Sequence, residues 1–153
     1  MHASWSSLLA AADLCIAAEG TKFTMAYSKL GTSPDGGATH SLPRLVGNRK
    51  ALELILLSDA FDTQAALALG LVNWVVGAER LGAETETIAR RLAQGATVAY
   101  GEIKRLVYAS ADQALAAQLD AEKEAFARCA GTRDFAEGVT AFVEKRKPDF
   151  KGN

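Results

Sequence analysis

Cysteine and histidine are scarce in this sequence, and their scarcity excludes several kinds of site. The 153 residues include two cysteines, Cys15 and Cys129, and neither belongs to a CxxC pair. His2 and His40 also stand alone, without a second ligand at metal-binding spacing. Disulfide-stapled domains and zinc sites need denser or paired ligands. We therefore expect free thiols in a reducing compartment and no metal site.

Long apolar runs and an excess of charge of one sign are also lacking. No stretch reaches the roughly 18 apolar residues that a membrane span needs. Residues 1–5 lack the basic region of a secretory signal. The 17 basic and 18 acidic residues leave a net charge of −1, so nothing global attracts nucleic acid or an anionic membrane. These features predict a cytoplasmic protein with neither nucleic acid nor a membrane as partner.

The motifs of several common enzyme classes are missing as well. The sequence has no GxSxG elbow, no Walker loop and no GxGxxG fingerprint. Ser33 and Ser41 have no nearby histidine and carboxylate that would single out a nucleophile. Nothing therefore indicates a serine hydrolase or a nucleotide-binding enzyme.

The pattern of apolar residues predicts two short strands followed by a mainly helical chain. Residues 14–18 and 22–26 have the composition of strands bounded by turn residues. Asp62 is placed to cap a short helix that Gly70 would close, and Pro148 is expected to end the last helix. So few strands cannot form a covered sheet. The sequence therefore reads as the second part of an α/β fold whose first strands are absent from it.

The most informative segment is the loop from Gly31 to Gly37, which contains Pro34 and Asp35. Proline followed by Asp-Gly is a turn signal, because proline fixes φ and the next residues tolerate the left-handed region. A plain turn is one interpretation. The alternative is a carboxylate at the mouth of an apolar pocket, where desolvation would suit a group that shuttles a proton. Candidate pocket walls are Met25, Ala26, Tyr27, Leu30 and Leu42.

A basic run lies near the end of the chain, from Lys145 to Lys151, with Phe150 inside it. A solvated helix end is the ordinary interpretation, since cations are favoured there by the helix dipole. Contact with a phosphate group is the alternative.

Several blocks of the sequence resemble the crotonase, or enoyl-CoA hydratase/isomerase, family. They are ADLCIAAE, KFTMAYSKLG, SPDGG, LPRLVG, GLVNWVV and EGVTAF followed by KRKPDF, in the family's order and over essentially the whole chain. The likeness is strongest to the isomerases of the phenylacetate pathway. The resemblance implies an α/β fold: residues 1–76 would end the ββα spiral of the core, and residues 77–153 would form a helical trimerisation region.

The resemblance also implies roles for individual residues. The two glutamates that hydratases use align with Ser7 and Tyr27, so water addition by the usual mechanism is not expected. Isomerases carry a single acid in the turn where this chain has Asp35. The backbone N–H of Ser4 would be one oxyanion donor. The implied acyl-pocket residues are Ser7, Met25, Tyr27, Leu30 and Pro34, and the implied CoA-binding residues are Lys145 and Arg146.

The residues and the resemblance leave three functions open. The first is an enoyl-CoA isomerase that acts on an acyl-CoA thioester through an enolate, with no cofactor beyond the coenzyme A of its substrate and a trimeric or hexameric assembly. The second is a catalytically inactive, crotonase-like assembly module. The third is an enoyl-CoA hydratase that recruits other residues.

Overall fold

The computed structural model describes residues 9–153 of the chain. They divide into two compact units, the first ending at Thr85 and the second running from Glu86 to Asn153. Ser4 and Ser7, the implied oxyanion and pocket residues, lie outside the described residues. The proposed domain division between residues 76 and 77 stays a prediction.

In the part of the first unit that the structure describes, four short strands form two separate pairs. Strand β1 (Ile16–Ala18) pairs in parallel with β4 (Trp74–Val76), with Ala17 opposite Val75. Strand β2 (Lys22–Phe23) pairs antiparallel with β3 (Phe61–Asp62). The rings of Phe23 and Phe61 stack at 5.6 Å between centroids. Each pair thus joins a strand near the start of the first unit to one in its later part.

Helices make up most of the described chain. In chain order they are α1 (Ala38–Val46), α2 (Asn48–Leu57), α3 (Thr63–Ala68), α4 (Leu81–Ala93), α5 (Thr97–Ala109), α6 (Leu115–Ala130) and α7 (Arg133–Val143). Short 3₁₀ turns span Ser28–Leu30, Ala78–Arg80 and Ser110–Asp112. None of the described helices has the length and apolar character needed to cross a membrane.

The first unit has a well-formed apolar core. Small side chains in the helices, such as Ala38, Ala51 and Ala66, are buried and let α1, α2 and α3 approach the rest of the unit. Leu42 and Leu54 fill the space between them and are also buried. The helical spacing of these residues places them on inward faces, as amphipathic helices require.

The second unit buries far less apolar surface. Among its described apolar side chains, Ala125 and Ala141 are the buried ones. Helices α5 and α6 are joined by Glu102, which accepts hydrogen bonds from Arg105 at 2.8 Å and from Arg128 at 2.8 Å. The two guanidinium groups hold the pKa of Glu102 at about 2, below its ordinary value of 4.5. Charged contacts therefore supplement a thin core.

Asp134 fixes the end of the chain to the start of α7. Its side chain is buried, and its two carboxylate oxygens accept the backbone N–H of Lys151 at 2.7 Å and of Gly152 at 2.8 Å. The N–H of Asp134 itself donates to the carbonyl of Asn153 at 3.0 Å. The first two bonds satisfy the buried carboxylate, and all three order the terminal segment.

Two predicted strands are shorter than the sequence indicated. The first begins at Ile16 rather than Leu14, because the N–H of Cys15 donates to the Asn73 side chain at 2.7 Å instead of joining a ladder. The second ends at Phe23 rather than Ala26, since the Met25 carbonyl accepts from the hydroxyl of Ser58.

Both cysteines are free, and burial raises the pKa of the Cys15 thiol.

The last helix ends at Val143, and the prediction that Pro148 ends it is wrong. Lys145 adopts the left-handed conformation with a φ of 55°, and its backbone N–H donates to the carbonyl of Phe142 at 3.3 Å. The N–H of Arg146 donates to the carbonyl of Ala141 at 3.0 Å. This pair of bonds is the Schellman arrangement, which closes a helix through a residue with positive φ.

Candidate functional site

Asp35 and Tyr27 form the central contact of the candidate site. The hydroxyl of Tyr27 donates a hydrogen bond to Oδ1 of Asp35 at 2.6 Å. The Tyr27 side chain is 5% exposed and belongs to the core, whereas Asp35 lies in an exposed loop. A buried phenol therefore holds an exposed carboxylate.

The backbone between the two residues explains why they meet. After Tyr27 the chain turns through Ser28–Leu30, and the Tyr27 carbonyl accepts from Leu30 and Thr32. Gly31 then takes a φ of 68°, which a side chain would oppose. This reversal brings the following loop back over the ring of Tyr27.

A second turn presents Asp35 at the start of α1. Gly36 and Gly37 have φ values of 59° and 79°, and the N–H of Ala38 donates to the Asp35 carbonyl at 3.2 Å. The turn predicted from the sequence SPDGG is therefore present. Because both glycines follow the acid directly, its side chain lies at the junction of loop and helix.

The expected apolar walls do not surround Asp35 within residues 9–153. Met25 and Leu42 are buried in the core and line a small internal cavity with Leu54 and Leu71, a cavity that Asp35 does not line. Leu30 is 72% exposed. Pro34 is half-buried and Ala26 is partly buried. The assignment of Met25, Tyr27, Leu30 and Pro34 to an acyl pocket stays a prediction.

Ser58 anchors the segment that carries Tyr27, a role that no sequence motif indicates. The residue is fully buried and has a φ of 52°. Its hydroxyl donates to the Met25 carbonyl at 2.6 Å and lies 2.6 Å from the Ser28 hydroxyl. Its carbonyl accepts from the Lys29 ammonium at 2.6 Å. The anchor thus contacts residues on both sides of Tyr27.

The two predicted CoA-binding residues differ in their surroundings. The guanidinium of Arg146 donates to Glu137 at 2.6 and 2.9 Å and to Glu144 at 2.6 Å. Arg146, with the N–H of Asp149, holds the pKa of Glu137 at about 2. Lys145 is exposed, and among the described residues its ammonium has no hydrogen-bond partner. The geometry therefore favours Lys145 over Arg146 for contact with a phosphate, and both assignments stay predictions.

An apolar cavity of about 350 Å³ lies within the second unit. Its lining includes Phe135, Phe142, Phe150 and Val98, together with Cys129. Phe142 is 85% exposed, so the cavity opens to solvent. Among the described residues there is no group of three or more side chains suited to a metal ion.

These features define a mixed α/β protein with one carboxylate held beside a glycine-rich turn. The family model for enoyl-CoA hydratase/isomerase matches residues 3–153. The chain belongs to that family.

Individual relatives include both isomerases and hydratases. The chain is 39% identical over 148 residues to the 1,2-epoxyphenylacetyl-CoA isomerase of Escherichia coli K12, covering 96% of this chain and 56% of that protein. It is also 39% identical over 142 residues to the crotonyl-CoA hydratase of Syntrophomonas wolfei, covering 90% of this chain and 53% of that protein. The chain thus spans about half the length of the curated relatives it matches.

Solved structures agree with the fold. An enoyl-CoA hydratase subunit from Geobacillus kaustophilus HTA426 superposes with a TM-score of 0.94 at 34% identity, covering 99% of this chain and 59% of that one. A second enoyl-CoA hydratase/isomerase, from Mycobacterium abscessus, gives a TM-score of 0.93 at 36% identity, covering 97% and 57%. The family resemblance and the α/β crotonase fold class are confirmed.

Proposed function

We propose that the protein containing this chain is an enoyl-CoA isomerase with Asp35 as its acid-base residue. The carboxylate removes a proton from the α carbon of a 3-enoyl thioester. The electrons of that C–H bond move towards the thioester carbonyl and give an enolate. When the enolate collapses, its electrons form the new α,β double bond, and the former double bond delivers its electrons to the γ carbon. Asp35 then returns the proton to the γ carbon. One carboxylate is sufficient, because the same proton leaves and re-enters the substrate.

The contact between Tyr27 and Asp35 carries this proposal. A general base must be held within reach of the proton it takes, and orientation contributes much of the rate. The 2.6 Å bond from a buried phenol gives Asp35 a defined position in an otherwise exposed loop. Bound substrate would have to cover the exposed carboxylate and exclude water from it.

The side chains at positions 7 and 27 argue against hydration, the alternative reaction. Hydratases of this family use two glutamates, and the positions that resemble them hold Ser7 and Tyr27. Neither side chain can act as a carboxylate. Relatives with both activities are 39% identical to this chain, so overall identity does not decide between the reactions. The proposal therefore depends on the side chains at residues 27 and 35.

Substrate contacts outside the acid are also part of the proposal. The backbone N–H of Ser4 would stabilise the enolate oxygen, as preorganised donors do. The ammonium of Lys145 would contact a phosphate of the coenzyme A moiety, which enters as part of the substrate rather than as a cofactor. The Lys145 side chain is exposed at the end of α7 and is available for such a contact.

The decisive experiment is isomerisation of a 3-enoyl-CoA by the full-length protein, followed through the absorbance of the conjugated product. Asp35→Asn is expected to lower kcat by about 10²-fold or more. Asp59→Asn, at an exposed aspartate of the same unit, serves as the control and is expected to keep full activity. Undiminished activity in Asp35→Asn would reject the assignment. Rapid hydration of crotonyl-CoA by the unmodified protein would instead support a hydratase.

A second candidate is an assembly module without catalysis, and the exposed apolar side chains of the second unit favour it. Strongly exposed examples are Leu115 at 73%, Phe126 at 67% and Val143 at 73%. Large exposed apolar patches mark interaction surfaces. We expect a homo-oligomer, a trimer or hexamer, which light scattering can measure. An oligomer that binds no acyl-CoA in calorimetry would support the module over the isomerase.

A further inference from the structure

The structure assigns Tyr27 a further role: we propose that it is a positioning residue that engages Oδ1 of Asp35 and leaves Oδ2 as the oxygen that carries the proton. The inference rests on the proposed isomerase function. It starts from the 2.6 Å hydrogen bond between the two side chains, which the sequence alone did not indicate.

Tyr27 can act in this way because it is immobilised. Its side chain is 5% exposed and packs in the core with Met25 and Leu42. Its chain neighbours are fixed by Ser58, which bonds the Met25 carbonyl and the Ser28 hydroxyl, each at 2.6 Å. A donor that is fixed at both ring and backbone imposes its geometry on an exposed acceptor.

Asp35 needs such a donor because its own surroundings are open. The residue is exposed in a loop bounded by glycines, where a carboxylate would otherwise sample several rotamers. A hydrogen bond to an ionised acceptor is stronger than one between neutral groups. The phenol of Tyr27 therefore selects one orientation of the carboxylate.

The same bond makes the two carboxylate oxygens different. Oδ1 accepts the hydrogen bond from the Tyr27 hydroxyl. A proton carried on Oδ1 would therefore compete with the phenolic hydrogen for the same oxygen. The proton taken from the α carbon is consequently carried on Oδ2 and returned from Oδ2 to the γ carbon. The phenolic hydrogen stays on Tyr27 throughout, and the step needs no co-reactant.

The kinetic test is Tyr27→Phe in the full-length protein, which removes only the hydroxyl. We expect kcat for 3-enoyl-CoA isomerisation to fall about 10-fold or more, since orientation is lost, while KM changes less than about 2-fold. Tyr100→Phe, in α5, is the matched control and is expected to change neither constant. An unchanged kcat in Tyr27→Phe, beside an inactive Asp35→Asn, overturns the inference and leaves the proposed function intact. A raised KM with normal kcat also overturns it, since Tyr27 would then only line the substrate pocket.

A spectroscopic measurement keeps the inference testable if Tyr27→Phe fails to fold. In protein labelled with ¹³C at the tyrosine Cζ, Asp35→Asn is expected to move the Tyr27 signal, because the charged acceptor is lost. If no tyrosine signal moves, the inference is overturned. Full activity in Asp35→Asn would instead reject the proposed function, so the two failures are distinguishable.

Discussion

The hydroxyl of Ser58 lies 2.6 Å from the carbonyl oxygen of Met25, two residues before Tyr27 in the chain. Ser58 directly follows the last residue of α2, so this bond joins the end of a helix to the segment that presents the phenol. The backbone carbonyl of Ser58 also accepts from Thr24 at 3.1 Å and Lys29 at 2.6 Å. One small residue thereby organises the segment beneath the candidate site.

Ser58→Ala is expected to destabilise the protein by about 1–3 kcal/mol, because buried acceptors lose their donor. Urea unfolding measures the difference. Ser110→Ala, at an exposed serine that bonds only a local carbonyl, is the control and is expected to cost much less. Equal losses in the two variants would contradict the anchoring role of Ser58.

Asp134→Ala is expected to release the end of the chain from α7. The substitution removes the acceptor of two backbone N–H groups, those of Lys151 and Gly152. Hydrogen exchange at these two amides is expected to accelerate strongly, with a loss of stability of about 1–3 kcal/mol. Asp120→Ala, at an exposed position of α6, provides the comparison. Unchanged protection of both amides would show that other contacts hold the segment.

The ion pair of Glu137 and Arg146 predicts a specific pH dependence. The guanidinium and the N–H of Asp149 lower the pKa of Glu137 from 4.5 to about 2 in the folded protein. Because the folded pKa is depressed, the contribution to stability is full above pH 4.5 and is lost as pH falls from about 4.5 to about 2.

Unfolding measured between pH 7 and pH 2 checks this window. Glu137→Gln is expected to be less stable than the unmodified protein at neutral pH, and the difference is expected to shrink as the pH falls. Glu19→Gln, at an exposed position of the first unit, is the control. A stability difference that stays constant down to pH 2 would argue against the ion pair as its source.

Lys145→Gly separates the backbone role of this residue from its charge. Lys145 has a φ of 55°, which glycine adopts without strain, so stability is expected to be unchanged or to rise by up to about 1 kcal/mol. Acyl-CoA affinity of the full-length protein is expected to fall about 10-fold, because a charge-assisted contact to phosphate is lost. Calorimetry measures the affinity, and Lys123→Ala, at an exposed lysine of α6, is the control. Unchanged affinity in Lys145→Gly would remove the residue from the coenzyme A site.

Local features that are set by residues close together in the chain could be predicted from the sequence alone. Asp62 caps α3 by accepting from the N–H of Ala65 at 2.9 Å, as its position before the helix predicted. The turn around Asp35 was also predicted, and the ordered motifs identified the family. Such features are encoded in residues a few positions apart, where proline, glycine and capping side chains act directly on the backbone.

Tertiary structure alone decided the contacts that make the candidate site. The bond from Tyr27 to Asp35, the anchor at Ser58 and the buried carboxylate of Asp134 join segments whose separation carries no periodic signal. The exposure of Asp35 and the end of α7 at Val143 were likewise decided by the folded chain. The physical reason is that burial and long-range hydrogen bonds depend on which surfaces meet after folding. Residue type and spacing specify the local elements, but not which of their side chains come into contact.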